Sequence, residues 1–587
     1  MKTVVFCVVL VQGLALVVGC DGREVGDEYC GNGVCDADES VATCPEDCAP
    51  VPPTCGNGYC EAGETELSCP VDCEGGSDPV CGNGYCELGE TELSCPNDCA
   101  SLSILDNGCL PEDQREICLL DSDADGAFTG PGGGLVGTAV AIVGDADGDG
   151  YDDLLVGNPR SDLGGFAAGA VYLLYGRPGG WGARSQLMDA DAIFVGTRVE
   201  GSLGGAVSAA GDVNGDGYAD LLIAEPDHYS DVAGAGVVYV LPGGPTRYEG
   251  FLTLSPDSQE AWLGEARFRD LAVDGSAGHA LSPAGDVDGD GLDDFLIGAP
   301  GYGSKVSNVR GAAYLVYGGF EWAPAPVDLA TEVVTMVNDV PDSEIGFSVS
   351  GGSDVNGDGY ADLLIGHPEL DVPVLGGAAL LLYGGPERLP HRLSPQDADA
   401  RFHSPNEPLP LLGLTVAVVG DVDADGFGDL LIGAPWEHQD VGFLFYGRAA
   451  RWSGPQDVAL ADAALQGSVT SGAGPMLAGA GDVNGDGFGD FLVHGNDTSS
   501  LGQGLDAVYL FLGGSARLQG TLALESAFAV FLVTPDDLDS CPGWAGSAVA
   551  GGGDVNGDGL DDFLIGASGF CCGGDHSGFV YLVLGSH

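Results

Sequence analysis

Short apolar runs, each closed by a breaker, set the rhythm of the chain. Leu154-Leu155-Val156 runs into Gly157-Asn158-Pro159, and Phe295-Leu296-Ile297 into Gly298-Ala299-Pro300. Four or five β-prone residues bounded in this way predict a strand, because a helix needs a longer periodic run. Before each run lies a strand rich in Gly and small residues: Val136-Gly137-Thr138-Ala139-Val140-Ala141, Ile345-Gly346-Phe347-Ser348-Val349, or Ala545-Gly546-Ser547-Ala548-Val549-Ala550. After it come a third strand (Ala170 to Gly176, Ala313 to Gly318, Phe579 to Val583) and a weaker fourth, such as Ala192 to Gly196. Each unit is thus four short antiparallel strands, with no amphipathic helix among them.

A polar loop joins the first two strands of every unit. It occurs seven times, beginning at Asp145, Asp212, Asp286, Asp354, Asp421, Asp482 and Asp554, at intervals of 67, 74, 68, 67, 61 and 72 residues. Such a period marks stacked supersecondary units. Sheets with unpaired edges aggregate, and radial closure hides those edges. The prediction is an all-β chain, a seven-bladed β-propeller over residues 119–587 preceded by small disulfide-rich modules.

Within each nine-residue loop, side-chain oxygens fall at positions 1, 3, 5 and 9, with Gly at position 6. The first set is Asp145, Asp147, Asp149 and Asp153 with the Tyr151 carbonyl at position 7; the second is Asp212, Asn214, Asp216 and Asp220 with Tyr218. The third is Asp286, Asp288, Asp290 and Asp294 with Leu292; the fourth is Asp354, Asn356, Asp358 and Asp362 with Tyr360. Then come Asp421, Asp423, Asp425 and Asp429 with Phe427, and Asp482, Asn484, Asp486 and Asp490 with Phe488. Asp554, Asn556, Asp558 and Asp562 with Leu560 complete the seven. Oxygens spaced two apart on a tight loop converge on one hard cation, and an oxygen-only set favours Ca2+, up to seven ions. An EF-hand is excluded: it needs Glu at position 12, which here is Val156, Ile223, Ile297, Ile365, Ile432, Val493 or Ile565. A dockerin-like loop would lead into a helix, and these lead into strands.

The pattern G-x-x-V/A…G-D-x-[DN]-x-D-G-x-x-D-x-L-[IV]-G-A-P resembles the FG-GAP repeat of integrin α-subunits. That resemblance implies a seven-bladed propeller with calcium in its hairpin loops, and a role in adhesion. The literal Phe-Gly is mostly replaced, by Val136-Gly137, Leu203-Gly204 or Ala545-Gly546, and no inserted domain or leg is visible.

Charge and cysteines bound the setting. With 89 acidic and 18 basic residues the net charge is -71, yet 44% of residues are hydrophobic, too many for a disordered polyanion. Nucleic acid and anionic membrane surfaces are poor partners for such a chain. Of 19 Cys, most are packed between Cys30 and Cys99, which points to an oxidising compartment. Residues 1–19 suit a signal peptide, and Gly19-Cys20 resembles a bacterial lipobox, predicting lipidation at Cys20 and a surface or outer-membrane lipoprotein; an ordinary secretory signal is the alternative. A lipidated linker (20–29) leads to Cys-rich modules at 30–48, 55–73 and 81–99, each C-G-N-G-x-C-x8-C-P-x-D-C, similar to short Cys-rich repeats of bacterial surface proteins. They read as a disulfide-stapled stalk, with a linker at 100–118. Pairing stays open, since four Cys allow three connectivities; the partners of Cys109, Cys118, Cys541, Cys571 and Cys572 stay open too.

Asp121-Ser122-Asp123-Ala124-Asp125-Gly126 mimics an eighth loop. However, Asp123 to Gly130 aligns with Asp189 to Gly196, a fourth strand, and the seventh unit lacks one. The segment is therefore expected to close the ring as the outer strand of the last blade. No G-x-S-x-G, H-E-x-x-H or phosphate loop is present, and no catalytic residue is assigned. The expected function is a non-catalytic, calcium-binding recognition propeller with an extracellular protein or glycan ligand, membrane attachment coming only through the lipid. A ligand-free envelope lipoprotein and a propeller hydrolase are the alternatives. Trp181, Trp262, Trp322, Trp436, Trp452 and Trp544 read either as glycan platforms or as packing between blades.

Overall fold

The computed structural model describes Phe6–Val11, Leu14–Gly19, Leu110–Glu112, Arg115–Leu119 and residues 124 to 586, apart from short connecting segments within the last range. The Cys-rich modules lie outside the described residues, as do Trp262 and Trp544. The chain divides into two units, residues 1–102 and 103–587. In the first, Phe6–Val11 and Leu14–Gly19 pair as an antiparallel hairpin with Phe6 opposite Gly19.

The second unit is the seven-bladed propeller. Its inner strands (Val140–Ile142, Val207–Gly211, Ala280–Gly285, Val349–Ser353, Val416–Val418, Leu477–Gly481 and Ala545–Gly553) each pack against the next, and the last packs against the first, so the ring is closed. The second strand of each blade is apolar at successive positions because both its faces are covered. Leu221 and Ile223 belong to the core shared with the first blade, while Leu222 and Ala224 belong to the core shared with the third. The propeller has seven such cores, one at each blade junction. The period-2 alternation of a strand thus feeds two cores rather than one core and solvent.

Two expectations need correction. In the first and fourth blades, though not in the seventh, where Ala545–Gly553 begins as expected, the pre-loop strand begins later than its glycine suggests: residues 136 to 138 form a turn, and the strand is Val140–Ile142. Gly346 shows why, since its φ of +83° lies in the left-handed region and a Cβ there would sit 2.1 Å from the Ala312 carbonyl oxygen. Second, a blade has more than four strands. A fifth, supplied by the connection of the following unit, runs parallel to the outer strand. Gly250–Leu254 lies beside Ala192–Gly196, and Gly454–Asp457 beside Ala400–His403. Each blade is therefore strapped at its outer edge by its neighbour.

The chain's ends meet in the seventh blade, where Gly126–Thr129 pairs antiparallel with Phe579–Val583 and places Thr129 opposite Phe579. The alignment with Asp189 to Gly196 holds at atomic detail. Asp125 accepts the Leu584 N–H as Asp191 accepts that of Tyr175. Closure reaches further back than the sequence suggests: Arg115–Leu119 runs parallel to Ala529–Leu532 of the sixth blade, with Leu110–Glu112 beyond it. The stretch expected as a linker thus contributes strands to the propeller. Trp181 packs edge-on against Phe128, and Trp452 packs against Phe402 and Phe445; these serve the blades.

Removing residues 1–102 is expected to leave the thermal transition of the propeller unchanged. Removing residues 1–130 strips the strap of the sixth blade and the outer strand of the seventh at once, and should produce aggregation or a large fall in melting temperature, read by differential scanning fluorimetry and light scattering. Phe128→Ala, at a fully buried site, should cost about 3–5 kcal/mol.

Candidate metal centres

Each loop is built by its own aspartates before any cation is considered. The inner strand enters through a bulge, as at Gly211 (φ +77°) and Gly481 (φ +78°). The position-1 Asp then turns the chain: Asp286 Oδ1 accepts the N–H groups of Gly289 and Asp290, and Oδ2 that of Gly291. At position 5, Asp290 Oδ1 accepts the Leu292 N–H, an arrangement repeated in all seven loops. Position 6 is Gly in every loop, with φ between 88° and 92°, where a side chain would be strained.

Position 9 is the strut. Asp153, Asp220, Asp294, Asp362, Asp429, Asp490 and Asp562 are all completely buried. One oxygen accepts the position-2 N–H of the same loop, as in Asp294 to Val287, at 2.8–3.1 Å throughout. The other accepts the N–H of a glycine just past the third strand, as in Asp294 to Gly318. Burial raises these carboxyls from 3.8 to about 7, and Asp153 to about 8. A divalent cation beside them would return them to the ionised range.

The oxygens available for an ion fit calcium. Ligand atoms of Asp145, Asp147 and Asp153, of Asp286, Asp288 and Asp290, and of Asp421, Asp423 and Asp425 lie within 4.8 Å of one another. Oxygens on opposite sides of a Ca2+ ion, each 2.3–2.6 Å from it, are about that far apart. The other four loops carry Asn at position 3, and Asn214 and Asn356 hydrogen-bond the position-9 aspartates of their own loops.

The loops also join the blades. At every junction the position-8 N–H donates to the position-1 carbonyl of the preceding loop: Ala219 to Asp145, Asp293 to Asp212, and so round to Asp152 to Asp554, at 2.9–3.2 Å. A second bond runs from the residue after the post-strand glycine to the position-2 carbonyl of the preceding loop, as in Gly244 to Ala146 and Ser586 to Val483.

Two sets of residues at these junctions were missed by the sequence reading. Arg247, Arg388, Arg451 and Arg517 each reach back to the preceding blade's loop and pair with its position-3 or position-5 side chains. Their signal is a fixed place, four residues after the post-strand glycine, in Gly243, Gly384, Gly447 and Gly513. Asp152, Asp293 and Asp561, at position 8, accept the position-1 N–H of the preceding loop. Burial, and then neighbouring aspartates, lift these three carboxyls above their ordinary value.

At the centre of the ring a channel of about 520 Å³ is walled by the inner strands, among them Val207, Leu281, Val349 and Leu477. His279 is the titratable side chain on that wall.

Fold and loops together define a seven-bladed β-propeller with an oxygen-lined loop in every blade. The FG-GAP repeat family model matches residues 136–174, 204–241, 277–316, 345–379, 412–445 and 545–583. The sixth unit lies outside those matches but has the same strands and a full loop from Asp482 to Asp490; Val493-His494-Gly495-Asn496 replaces the usual Ile-Gly-Ala-Pro. Among curated proteins the chain is similar to integrin alpha-PS2 of Drosophila melanogaster, 32% identical over 232 residues (38% of this chain, 15% of that protein). It is also similar to integrin alpha-V of Gallus gallus, 29% identical over 243 residues (41% and 21%), and to integrin alpha-IIb of Mus musculus, 35% over 179 residues (30% and 16%). The chain thus spans about a fifth or less of the length of these relatives. Among solved structures the Dos1 propeller aligns at a TM-score of 0.35 and 8% identity, covering 78% of this chain and 94% of that one, too distant to carry an argument.

Asp294→Asn leaves one of the two backbone N–H groups facing an amide, so it should cost about 1–3 kcal/mol even in chelator. Asp290→Asn keeps the oxygen that holds Leu292 and should cost much less. Thermal unfolding of both variants in chelator checks the pair.

Proposed function

We propose that this chain is a calcium-binding recognition propeller of a cell surface, non-catalytic, whose ligand is an extracellular protein or glycan. The observation that carries it is the sevenfold recurrence of an oxygen-lined loop fitted to a divalent cation and hydrogen-bonded to its neighbour. The side chains at positions 1, 3, 5 and 9, with the position-7 carbonyl, would hold the ion, and its charge would stabilise the acidic junctions. Similarity to integrin α-subunits supports an adhesive role. The loops' carboxylates are committed to turns, struts and cation, so none is left for general acid or base work.

In this reading the Cys-rich modules are the stalk, residues 1–19 the signal peptide and Cys20 the lipid anchor of a bacterial surface protein. Among the described residues no helix is long and apolar enough to cross a membrane.

Metal analysis of dialysed protein should find several calcium ions per chain, up to seven, with dissociation constants of roughly 10⁻⁴–10⁻³ M for an extracellular site. Fewer than about three would contradict the reading. Because an ion that binds the folded state stabilises it, chelator should lower the melting temperature. Cys20→Ser should move the protein from the membrane to the soluble fraction; unchanged fractionation would remove the anchor from the account.

A further inference from the structure

Resting on the calcium reading, we propose that the seven loops form two classes of cation site, set by what the next blade brings to each junction. At four junctions a built-in arginine already occupies the cation-facing carboxylates. At the other three an aspartate adds negative charge instead.

Two independent positions agree on this division at all seven junctions, and a third agrees at the six junctions where the sequence reaches it. Beside the loops that begin at Asp145, Asp286, Asp354 and Asp421, the third strand is followed by Tyr175, Tyr317, Tyr383 and Tyr446. The next blade brings Arg247, Arg388, Arg451 and Arg517 to them, and its position-8 residue is Ala219, Ala361, Gly428 or Gly489. Beside the loops that begin at Asp212, Asp482 and Asp554, the tyrosine is replaced by Pro242, Leu512 and Leu584, and position 8 of the next blade is Asp293, Asp561 or Asp152. Trp322 and Gly180 stand in the arginine's place at two of these junctions; at the third, the sequence ends at His587 before that position.

The arginine is seated by geometry that repeats four times. Its guanidinium carbon lies 4.5–4.7 Å from the centroid of the tyrosine ring. The N–H of the residue after it donates to that tyrosine's hydroxyl at 2.8–2.9 Å. The guanidinium thus arrives with its backbone and ring face fixed. It then takes Oδ2 of Asp288 and Asp290 at 2.5 and 3.0 Å, and the same atoms of Asp147 and Asp149, and of Asp423 and Asp425. In the loop from Asp354, Arg451 pairs with Asp358 beside Asn356. Those Oδ2 atoms matter because the partner oxygens at positions 3 and 5 are spent on backbone N–H groups within the loop, as at Asp288 and Asp290. A cation entering these loops must share or displace the arginine.

The arginine junctions therefore hold together without an ion and bind one weakly, whereas the aspartate junctions bind more tightly and depend on it. The loop from Asp354, with three aspartates and an arginine, is the weakest of all. The exposed part of each guanidinium is screened by solvent, so a separation of about tenfold in affinity, ~1.4 kcal/mol, is expected.

Calcium titration of the full chain, followed by calorimetry, tests this with three proteins. The wild type should show about three tighter and four weaker sites. Arg388→Gln should bind one more ion per chain at a calcium concentration between the two classes, and should melt lower than wild type in chelator. Asp293→Ala, a residue already standing at position 8 elsewhere in the ring, should bind one ion fewer at that concentration. Should Arg388→Gln aggregate, Asp293→Ala decides alone. Wild-type binding with unchanged occupancy in the variants would overturn the two classes and leave the calcium reading intact. No calcium bound by the wild type would overturn the calcium reading itself, and the two classes with it.

Discussion

Everything in the propeller leans on one backbone hydrogen bond, repeated seven times: the position-8 N–H of each loop donating to the position-1 carbonyl of the loop before it. Burial of apolar surface between sheets is non-directional and would let blades slide or tilt. A hydrogen bond between two rigid loops fixes their register. The loops are rigid because the position-1 side chain gathers the N–H groups of its own turn, while the position-9 carboxylate bolts the turn to the end of the third strand. The residue that starts each loop therefore also carries the blade junction through its carbonyl. A cation bound there would tighten the turn and the junction together.

Packing follows the same logic of shared parts. Because alternate residues of one strand feed different cores, no blade completes its core without both neighbours. The parallel fifth strand repeats this at the outer rim. At the seam, a distant part of the chain supplies these strands: Gly126–Thr129 is the outer strand of the seventh blade, and Arg115–Leu119 is the strap of the sixth. Closure by an outer strand and a strap spreads the seam over two blades.

The loops were legible from sequence because a turn that aims several carboxylates at one point tolerates little variation in spacing. The third strands were legible because their short apolar runs follow a Gly-rich connection and most end at a glycine. Ring closure was legible through the match of Asp125 to Asp191, whose common task, accepting an N–H just past the third strand, became visible only in the structure. The fifth strands escaped because their pairing is long-range and their faces are wet: Phe251 is 61% exposed, so no hydrophobic pattern marks Gly250–Leu254. The arginines escaped for another reason. Each lies more than ninety residues from the carboxylates it meets, as Arg388 does from Asp288, and reads as an isolated surface charge until the blades are laid side by side.

The claim that the loops are the joints of the ring is tested most directly by native-state hydrogen exchange at the position-8 amides of Asp152, Ala219, Asp293, Ala361, Gly428, Gly489 and Asp561. The account predicts protection at all seven comparable to that of the central strands, deepening when calcium is added. Exchange at these amides as fast as in exposed loops, with or without calcium, would contradict it.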